Sequence, residues 1–232
     1  MLDWEIRQGD CLELLRAVPD GSVDAVVTDP PYGIGGQVVR FSGTGLVSLP
    51  AWDVLDNSWI SSGAQALRPG GSMVAFTDTL RTGEMWAKMQ AAGLHPRQII
   101  FWLKHAPPPC PRRSFQSAVE VAVWATKPGA TYEWSGGGVT PNCWYEDIVK
   151  ADRLHPTQKP LNLMRWLCRL VTPPGGLVLD PFCGSGTTGV AAVGEGFRFL
   201  GMELEPRFVE ISRARIANTQ APLFDLAGTV AP

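Results

Sequence analysis

The sequence lacks a long hydrophobic run and a strong surplus of charge of either sign. No segment of about 18 apolar residues occurs, and residues 1–10 have neither the basic nor the apolar region of a signal peptide. We therefore expect a soluble, intracellular protein without a membrane segment. The formal net charge of −2 argues against a chain that is basic over its whole surface, as many nucleic-acid binders are.

The sequence also lacks the cysteine and histidine patterns of disulfide scaffolds and zinc sites. Its five cysteines are an odd number, and none of them belongs to a CxxC pair or to a Cys/His spacing that holds zinc. We expect these cysteines to be reduced thiols. The sequence predicts no metal site.

The chain does have enough apolar residues for one substantial core. A length of 232 residues with 45% hydrophobic residues predicts a single domain over residues 1–232. Short β-branched runs alternate with segments of helical periodicity, which is typical of an α/β fold with a doubly wound, mostly parallel sheet. Strands are predicted at 23–28, 72–77, 98–103, 119–125, 177–180 and 197–203. Helices are predicted at 10–17, 51–67, 79–92, 160–171, 187–195 and 206–218.

Some stretches interrupt this alternation of strands and helices. Residues 33–50 are rich in glycine and serine, and residues 104–153 contain a proline-rich and a glycine-rich part. We interpret both stretches as loops or excursions from the sheet, and we expect residues 219–232 to form a flexible tail. Trp102 and Trp124 lie in strand-like runs and are predicted core residues, whereas Trp134 and Trp144 are predicted to lie at the surface.

Positive charge is concentrated in the middle of the chain. From Arg97 to Arg169 there are ten lysines and arginines against five acidic residues, and the remainder has ten against seventeen. A basic section on an acidic body suits an anionic partner that meets one face of the protein. Chance clustering of surface charge explains the same pattern equally well.

A glycine-rich turn follows the strand predicted at 177–180, in the segment PFCGSGTT. Gly184 and Gly186 allow a tight turn and a close approach of the backbone to a ligand. Glu203 ends the next strand, 23 residues after Asp180, where a doubly wound domain holds ribose hydroxyls. A packing turn remains an alternative. A nicotinamide-dinucleotide turn lacks its third glycine here, and a P-loop lacks its Gly-Lys-Ser/Thr.

A second loop, Asp29-Pro30-Pro31-Tyr32, follows the strand predicted at 23–28. The two prolines stiffen the loop and leave carbonyl groups free to accept hydrogen bonds. An exocyclic amine of a base is a poor nucleophile, because its lone pair is delocalised into the ring. The Asp29 carboxylate and the Pro30 carbonyl could hold both amino hydrogens and free that lone pair. Tyr32 offers a ring on which a flipped-out base stacks, although a Pro-Pro turn with a buried tyrosine is an alternative.

Together, the segments DPPY and DPFCGSGTT resemble the amino-methyltransferase family of DNA-modifying enzymes. The catalytic motif precedes the cofactor motif by about 150 residues, and the segment HPTQKP lies just before the latter. This order is similar to that of the family's circularly permuted β group. The resemblance implies the Rossmann-like fold of S-adenosylmethionine-dependent methyltransferases, with S-adenosylmethionine as the cofactor.

The resemblance also implies which residues contact the cofactor. Asp10 matches an acidic residue near the cofactor adenine, although the local sequence equally fits a cap of the following helix. Thr157 and Lys159 are expected near the methionine end. The full implied set is Asp10, Cys11, Thr157, Lys159, Asp180, Pro181, Phe182, Gly184, Ser185, Gly186, Thr187 and Glu203.

The reaction implied by the resemblance is methylation of N6 of an adenine that is flipped out of a short site in double-stranded DNA. The resemblance also implies that residues 33–50 and 104–153 are insertions for target recognition. The basic section within this interval supplies the candidates for DNA contact, which are Lys104, Arg112, Arg113, Lys127, Lys150 and Arg153. The resemblance places the protein in the cytoplasm of a bacterium or among phage-encoded proteins. It leaves a homodimer and a cognate restriction enzyme open as further associations.

Several rival functions stay open at this point. N4 of cytosine suits the same two acceptors, although in this family Asp before Pro-Pro favours adenine and Ser favours cytosine. Methylation of RNA or of a protein glutamine is a second alternative, and a loop of that kind more typically begins with Asn. A non-catalytic DNA-binding module is a third, and a nicotinamide-dependent oxidoreductase leaves the DPPY segment without a use.

Overall fold

The computed structural model of the protein describes residues 3–31, 38–41, 45–48, 58–107, 110, 112–131, 138–149 and 158–219. Within these ranges the chain forms the strands β1 (Trp4–Gln8), β2 (Val23–Thr28), β3 (Val38–Phe41), β4 (Gly45–Ser48), β5 (Leu67–Thr77), β6 (His95–Leu103), β7 (Val119–Thr126), β8 (Cys143–Tyr145), β9 (Leu177–Asp180) and β10 (Arg198–Glu203). The helices are α1 (Cys11–Leu15), α2 (Ser58–Ala66), α3 (Thr82–Ala91), α4 (Leu161–Val171), α5 (Thr187–Gly194) and α6 (Pro206–Ala217), and a 3₁₀ turn at Thr79–Arg81 precedes α3.

Eight of these strands form one sheet, in the order β1-β10-β9-β2-β5-β7-β6-β8, and β3 and β4 pair separately as an antiparallel hairpin. Every pair in the large sheet is parallel except those of β7, which runs antiparallel to β5 and β6. Because parallel strands end at the same edge, the loops after β1, β2, β5, β9 and β10 meet there. We call this edge the carboxyl edge and the opposite one the amino edge. The loop from β6 to β7 also lies at the carboxyl edge.

Helices cover both faces of the sheet, which confirms the predicted doubly wound α/β class. Helices α4, α5 and α6 pack on one face, and α1, α2 and α3 pack on the other. The alternation of a strand sends Val26 and Val27 of β2 to opposite faces, and both are fully buried. In α4 the residues Leu163, Leu167 and Leu170 recur on one buried side. Burial of each leucine contributes about 2 kcal/mol to the stability of the fold.

The structure contains strands that the sequence patterns do not indicate. Strand β1 lies at one end of the sheet and buries a single residue, Ile6, so its apolar signal is weak. Strand β8 lies within the stretch 104–153 and pairs with β6 at the other end of the sheet. The hairpin β3–β4 lies within 33–50. The predicted start of α2 at residue 51 and the tail at 220–232 lie outside the described residues.

The tryptophan predictions have a mixed outcome. Trp102 and Trp124 are buried core residues, as predicted. Trp144 does not lie free at the surface: it is half-buried and its ring stacks on that of Trp166, with 5.4 Å between the ring centroids. Trp134 lies outside the described residues. In the part of the chain that the structure describes, no helix is both long enough and apolar enough to span a membrane.

Candidate active site

The carboxyl edge brings together acidic residues that are far apart in the sequence. Gln8 of β1 lies beside Glu203 of β10, and Gly201 of β10 lies beside Asp180 of β9. Strand β9 in turn pairs with β2, which ends one residue before Asp29. The predicted catalytic loop and the predicted cofactor loop therefore lie at the ends of adjacent strands, at the place where α/β sheets bind their ligands.

The carboxylate of Asp29 is held by a buried lysine. The Nζ atom of Lys159 lies 2.7 Å from Oδ2 of Asp29 and 3.1 Å from Oε2 of Glu120. The Nζ atom of Lys104 lies 2.7 Å from the other oxygen of Glu120. We call Lys104, Glu120, Lys159 and Asp29 the charge chain. Both lysine side chains are only 5% exposed, so these ion pairs are shielded from water.

The sheet explains why the charge chain forms. Glu120 of β7 lies opposite Trp102 of β6, and Lys104 follows Trp102 by two residues, so the three side chains share one face. This is the face that α4 covers, and Lys159 precedes α4 by two residues. The Lys159 ammonium lies 5.0 Å from the ring centroid of Phe76, and that of Lys104 lies 4.9 Å from Trp102. These aromatic faces further stabilise the two cations.

The predicted cofactor loop, residues 181–187 after β9, is hydrogen-bonded to Glu203. Oε2 of Glu203 accepts a hydrogen bond from the Gly184 amide at 2.8 Å, and Oε1 accepts one from the Glu205 amide at 2.8 Å. Burial raises the pKa of Glu203 above its usual value, although these backbone bonds act in the opposite direction. Each carboxylate oxygen keeps a lone pair that can accept from a ribose hydroxyl. This geometry supports the predicted role of Glu203.

The rest of the loop is shaped by its packing on α6. Gly186 has a left-handed backbone with φ of 83°, and a Cβ atom there would lie 2.8 Å from Cβ of Ser212. Ser185 and Thr187 are buried, and both hydroxyls accept a hydrogen bond from the Arg215 guanidinium. Glycine at 186 is therefore required by the fold of the loop. The side chains of Ser185 and Thr187 are therefore engaged within the protein, as is the Ser185 carbonyl, which accepts from the same guanidinium.

Asp180, the last residue of β9, links this strand to the end of β2. It is 2% exposed and accepts hydrogen bonds from Oγ1 of Thr28 at 2.7 Å and from the Phe182 amide at 3.1 Å. Burial raises the pKa of Asp180 to about 6, and the nearby charge of Asp29 acts in the same direction. Thr28 directly precedes Asp29. Asp180 therefore connects the two loops, and its burial argues against the direct cofactor contact that the resemblance implies.

At the start of α1, Asp10 acts as a helix cap, which is the alternative to cofactor binding that the sequence left open. Oδ1 of Asp10 accepts a hydrogen bond from the Leu12 amide at 2.7 Å, so Asp10 caps the helix. Asp10 is exposed at the carboxyl edge, where the amide of its neighbour Gly9 donates to the Glu203 carbonyl. Burial, followed by the charge of Asp10, raises the pKa of the Cys11 thiol to about 12. Cys11 is thus a neutral, half-buried neighbour of the site.

The remaining predicted site residues divide into two groups. Pro30 and Pro181 are buried, while Pro31 and Phe182 are half-buried at the same edge, and the Phe182 ring makes an edge contact with Trp59 at 5.4 Å. Four predicted residues lie outside the described part of the chain: Tyr32, Lys150, Arg153 and Thr157.

The structure separates the DNA-contact candidates. Arg112 and Arg113 are exposed in the loop from β6 to β7, at the carboxyl edge. Lys104 belongs to the buried charge chain, so the structure does not support a phosphate contact for it. Lys127 lies at the amino edge, where its ammonium donates to the carbonyl groups of residues 65 and 67. Its distance from the catalytic loop argues against the predicted DNA contact.

Sequence reasoning missed Glu120, Thr28 and Arg215. The signal for Glu120 was a lone acidic residue near the start of an otherwise apolar strand, Val119–Thr126. A buried strand rarely carries an unpaired charge, so this residue required a cation nearby. Its partners depend on the register of the sheet, which the sequence pattern does not give.

The donor set at this edge fits S-adenosylmethionine. Glu203 offers acceptors for hydroxyl groups at the end of β10, beside the loop that contains Gly184. The carboxylates of Asp10 and Glu203 lie close to each other at this edge, and their negative charge suits a cationic cofactor. Among the described residues, no group of three or more His, Cys, Asp and Glu is arranged to hold a metal ion.

Comparisons with known proteins agree with this arrangement. A family model described as DNA methylase, of the N6/N4 methyltransferases, matches residues 23–214. The Type II methyltransferase M2.MboI of Moraxella bovis is 29% identical over 240 residues, which cover 92% of this chain and 87% of the relative.

Solved structures show the same fold. The complex of M1.HpyAVI with S-adenosylmethionine superposes with a TM-score of 0.73 at 26% identity, covering 92% of this chain and 98% of that one. The cytosine-N4-specific PvuII DNA methyltransferase has a TM-score of 0.75 at 22% identity and covers 95% and 88%, which shows the fold alone. With a family model that spans both loops of the site, the chain belongs to the N6/N4 DNA methylase family.

Proposed function

We propose that the protein methylates N6 of adenine in double-stranded DNA, with S-adenosylmethionine as the methyl donor. The observation that carries the proposal is the position of Asp29. It lies at the end of β2, beside the loop after β9, whose Gly184 amide is bonded to Glu203 at the end of β10. Membership of the DNA methylase family supports the class of reaction. The acid before Pro30 supports adenine, because serine at this position favours cytosine in the family that the sequence resembles.

In the proposed reaction the protein mainly positions the base and polarises its exocyclic amine. The Asp29 carboxylate and the Pro30 carbonyl accept the two hydrogens of the amine, which localises its lone pair for attack. When bound, S-adenosylmethionine supplies an activated methyl group and leaves as the neutral thioether. A new carbon–nitrogen bond forms as the sulfur–carbon bond breaks, and the amine loses one proton. Asp29 is the nearest carboxylate for that proton, and Lys159 balances the negative charge of Asp29 before transfer.

The base must leave the duplex to reach Asp29, since this residue lies at the edge of the sheet and not on a protruding element. Arg112 and Arg113 are exposed at this edge and are the proposed phosphate contacts among the described residues. In a bacterium the DNA lies in the cytoplasm, where we place the reaction. A cognate restriction enzyme is the partner that we propose, in line with the Type II designation of the Moraxella bovis relative.

Nucleoside mass spectrometry tests this proposal. Purified protein is incubated with unmethylated genomic DNA and methyl-labelled S-adenosylmethionine, and the DNA is digested to nucleosides. Labelled N6-methyladenine is the expected product. Labelled N4-methylcytosine would keep the mechanism and overturn the choice of base. If the cofactor binds but no nucleoside is labelled, DNA methylation is contradicted, and labelled RNA or protein would identify the alternative substrate.

A further inference from the structure

Glu120 is the carboxylate of the charge chain that neither the catalytic loop nor the motifs of the sequence account for. We propose that Glu120 is a positioning residue for methyl transfer, which holds Lys159 against Asp29 while drawing part of the lysine's charge away from it. This inference rests on the proposed function.

Glu120 lies between two ammonium groups, one of which also contacts Asp29. Glu120 Oε1 lies 2.7 Å from Lys104 Nζ, and its Oε2 lies 3.1 Å from Lys159 Nζ. The 2.7 Å distance from Lys159 to Asp29 Oδ2 is shorter. Lysine has three donors in a tetrahedral arrangement, so one ammonium can serve both carboxylates. Glu120 therefore fixes the direction from which Lys159 approaches Asp29.

Charge balance gives the reason for this arrangement. The charge chain contains two buried ammonium groups and two partly buried carboxylates, so its formal charges cancel. Burial alone would raise the pKa of Glu120, but the charges of Lys159 and Lys104 outweigh it and hold that pKa below its usual value. Glu120 is therefore ionised at neutral pH.

Removal of this negative charge would leave two lysines with one carboxylate. The ammonium of Lys159 would then bind Asp29 more tightly, and it would compete with the amine of the base for the carboxylate oxygens. The chemical step should slow down. The cofactor site at Glu203 should be unaffected. Glu203 lies on β10, and three strands (β9, β2 and β5) separate β10 from β7, which carries Glu120.

The test uses single-turnover methyl transfer to unmethylated DNA, together with the Kd for S-adenosylmethionine. We expect Glu120→Gln to lower the transfer rate at least tenfold and to leave the cofactor Kd within about threefold of the wild-type value. Glu146→Gln is the matched control, because Glu146 loses the same charge at the same edge but bonds Trp144 and Asn162 outside the charge chain. We expect its rate to stay within about twofold of wild type.

A second variant separates charge balance from a purely structural role. Replacing Lys104 with Met in the Glu120→Gln background restores one cation to one carboxylate, so the rate should recover at least threefold over Glu120→Gln alone. Two independent structural losses would add up instead, and the double variant would be slower still.

Three results would count against Glu120 as a positioning residue. These are a wild-type rate in Glu120→Gln, no recovery in the double variant, and loss of folding in both variants, which thermal melting would reveal. If the wild-type protein itself transfers no methyl group to DNA, the proposed function fails first, and the inference falls with it.

Discussion

One aspartate lies at each end of β2, and the two residues differ in what holds them. Asp24 is the second residue of the strand, and Asp29 directly follows its last residue. Asp24, at the amino edge, accepts hydrogen bonds from the Arg68 guanidinium and, at 2.7 Å, from the Leu177 amide. These bonds join β2 to its neighbours β5 and β9. Asp29, at the carboxyl edge, is bound by Lys159, which comes from the segment before α4.

The exposure of the two aspartates does not distinguish them. The Asp24 side chain is 15% exposed and that of Asp29 is 19% exposed. Their partners do: Asp24 bonds to atoms of the sheet itself, whereas Asp29 bonds to a lysine whose ammonium it shares with Glu120. We propose on this basis that the amino edge serves the stability of the fold and the carboxyl edge serves the chemistry. Variants at the two edges can test this division.

The largest effect among these variants is expected at the cofactor loop. Glu203→Gln loses the charge and one of the two acceptors that now bond the Gly184 and Glu205 amides. Since a hydrogen bond to a charged group contributes about 1.5–3 kcal/mol, the Kd for S-adenosylmethionine should rise about 10- to 100-fold in calorimetric titration. Glu205→Gln, which changes an exposed neighbour, is the control. Equal affinity in both variants would remove Glu203 from the cofactor site.

At the amino edge, Asp24→Ala should affect stability and spare the chemistry. The substitution leaves the Leu177 amide and the Arg68 guanidinium without their acceptor, which should lower the free energy of unfolding by about 2 kcal/mol. Urea denaturation measures this change. The methyl-transfer rate of the folded variant should stay within about twofold of wild type, and a large loss of rate would contradict the division between the edges.

A pH-dependent effect of about 1 kcal/mol is expected from Asp180. Its folded-state pKa of about 6 lies above its value of 3.8 in the unfolded chain, so the folded state binds the proton more tightly. The resulting stabilisation is present at low pH and is lost as the pH rises through 6. Relative to Asp180→Asn, the wild-type free energy of unfolding should fall by about 1 kcal/mol between pH 5 and pH 7. A constant difference, measured by urea denaturation at each pH, would show that Asp180 does not titrate in this range.

The smallest effects are expected in DNA binding. Arg112→Ala and Arg113→Ala should each weaken the affinity a few-fold and reduce the salt dependence of binding by about one ion. Lys127→Ala, at the amino edge, should leave the salt dependence unchanged and lower the melting temperature, because it loses bonds to two backbone carbonyls. Fluorescence anisotropy with labelled duplex DNA at several salt concentrations distinguishes the two edges. An effect of Lys127→Ala on the salt dependence would place the DNA at the amino edge and contradict the proposed contacts of Arg112 and Arg113.

The sequence pattern was sufficient to locate the strands that form the centre of the sheet. Strands β2 and β9 lie where the apolar runs place them, because central parallel strands are buried on both faces and leave a continuous signal. Strands β1 and β8 could not be found in this way. Both lie at the ends of the sheet, where a short, half-exposed strand leaves no clear periodicity.

The candidate site shows the same limit. The positions of Asp29 and Glu203 follow from their place at the ends of predicted strands, since a parallel sheet brings such ends together. The partners of Lys104 and Lys159 do not follow from any local pattern. They depend on the pairing of Trp102 with Glu120 and on the way α4 enters the sheet face, which are properties of the assembled fold. A basic residue in the sequence therefore says little about whether its charge faces DNA or the interior.

The most direct test of the division between the two edges compares Asp24 and Asp29, at the two ends of β2, in one experiment. Single-turnover transfer from methyl-labelled S-adenosylmethionine to unmethylated DNA is measured for wild type, Asp29→Ala and Asp24→Ala, after cofactor binding has been verified for each. We expect a rate at least about 100-fold below wild type for Asp29→Ala, with little change in cofactor affinity, and a near wild-type rate for folded Asp24→Ala. Transfer by Asp29→Ala at close to the wild-type rate would contradict the assignment of the chemistry to the carboxyl edge.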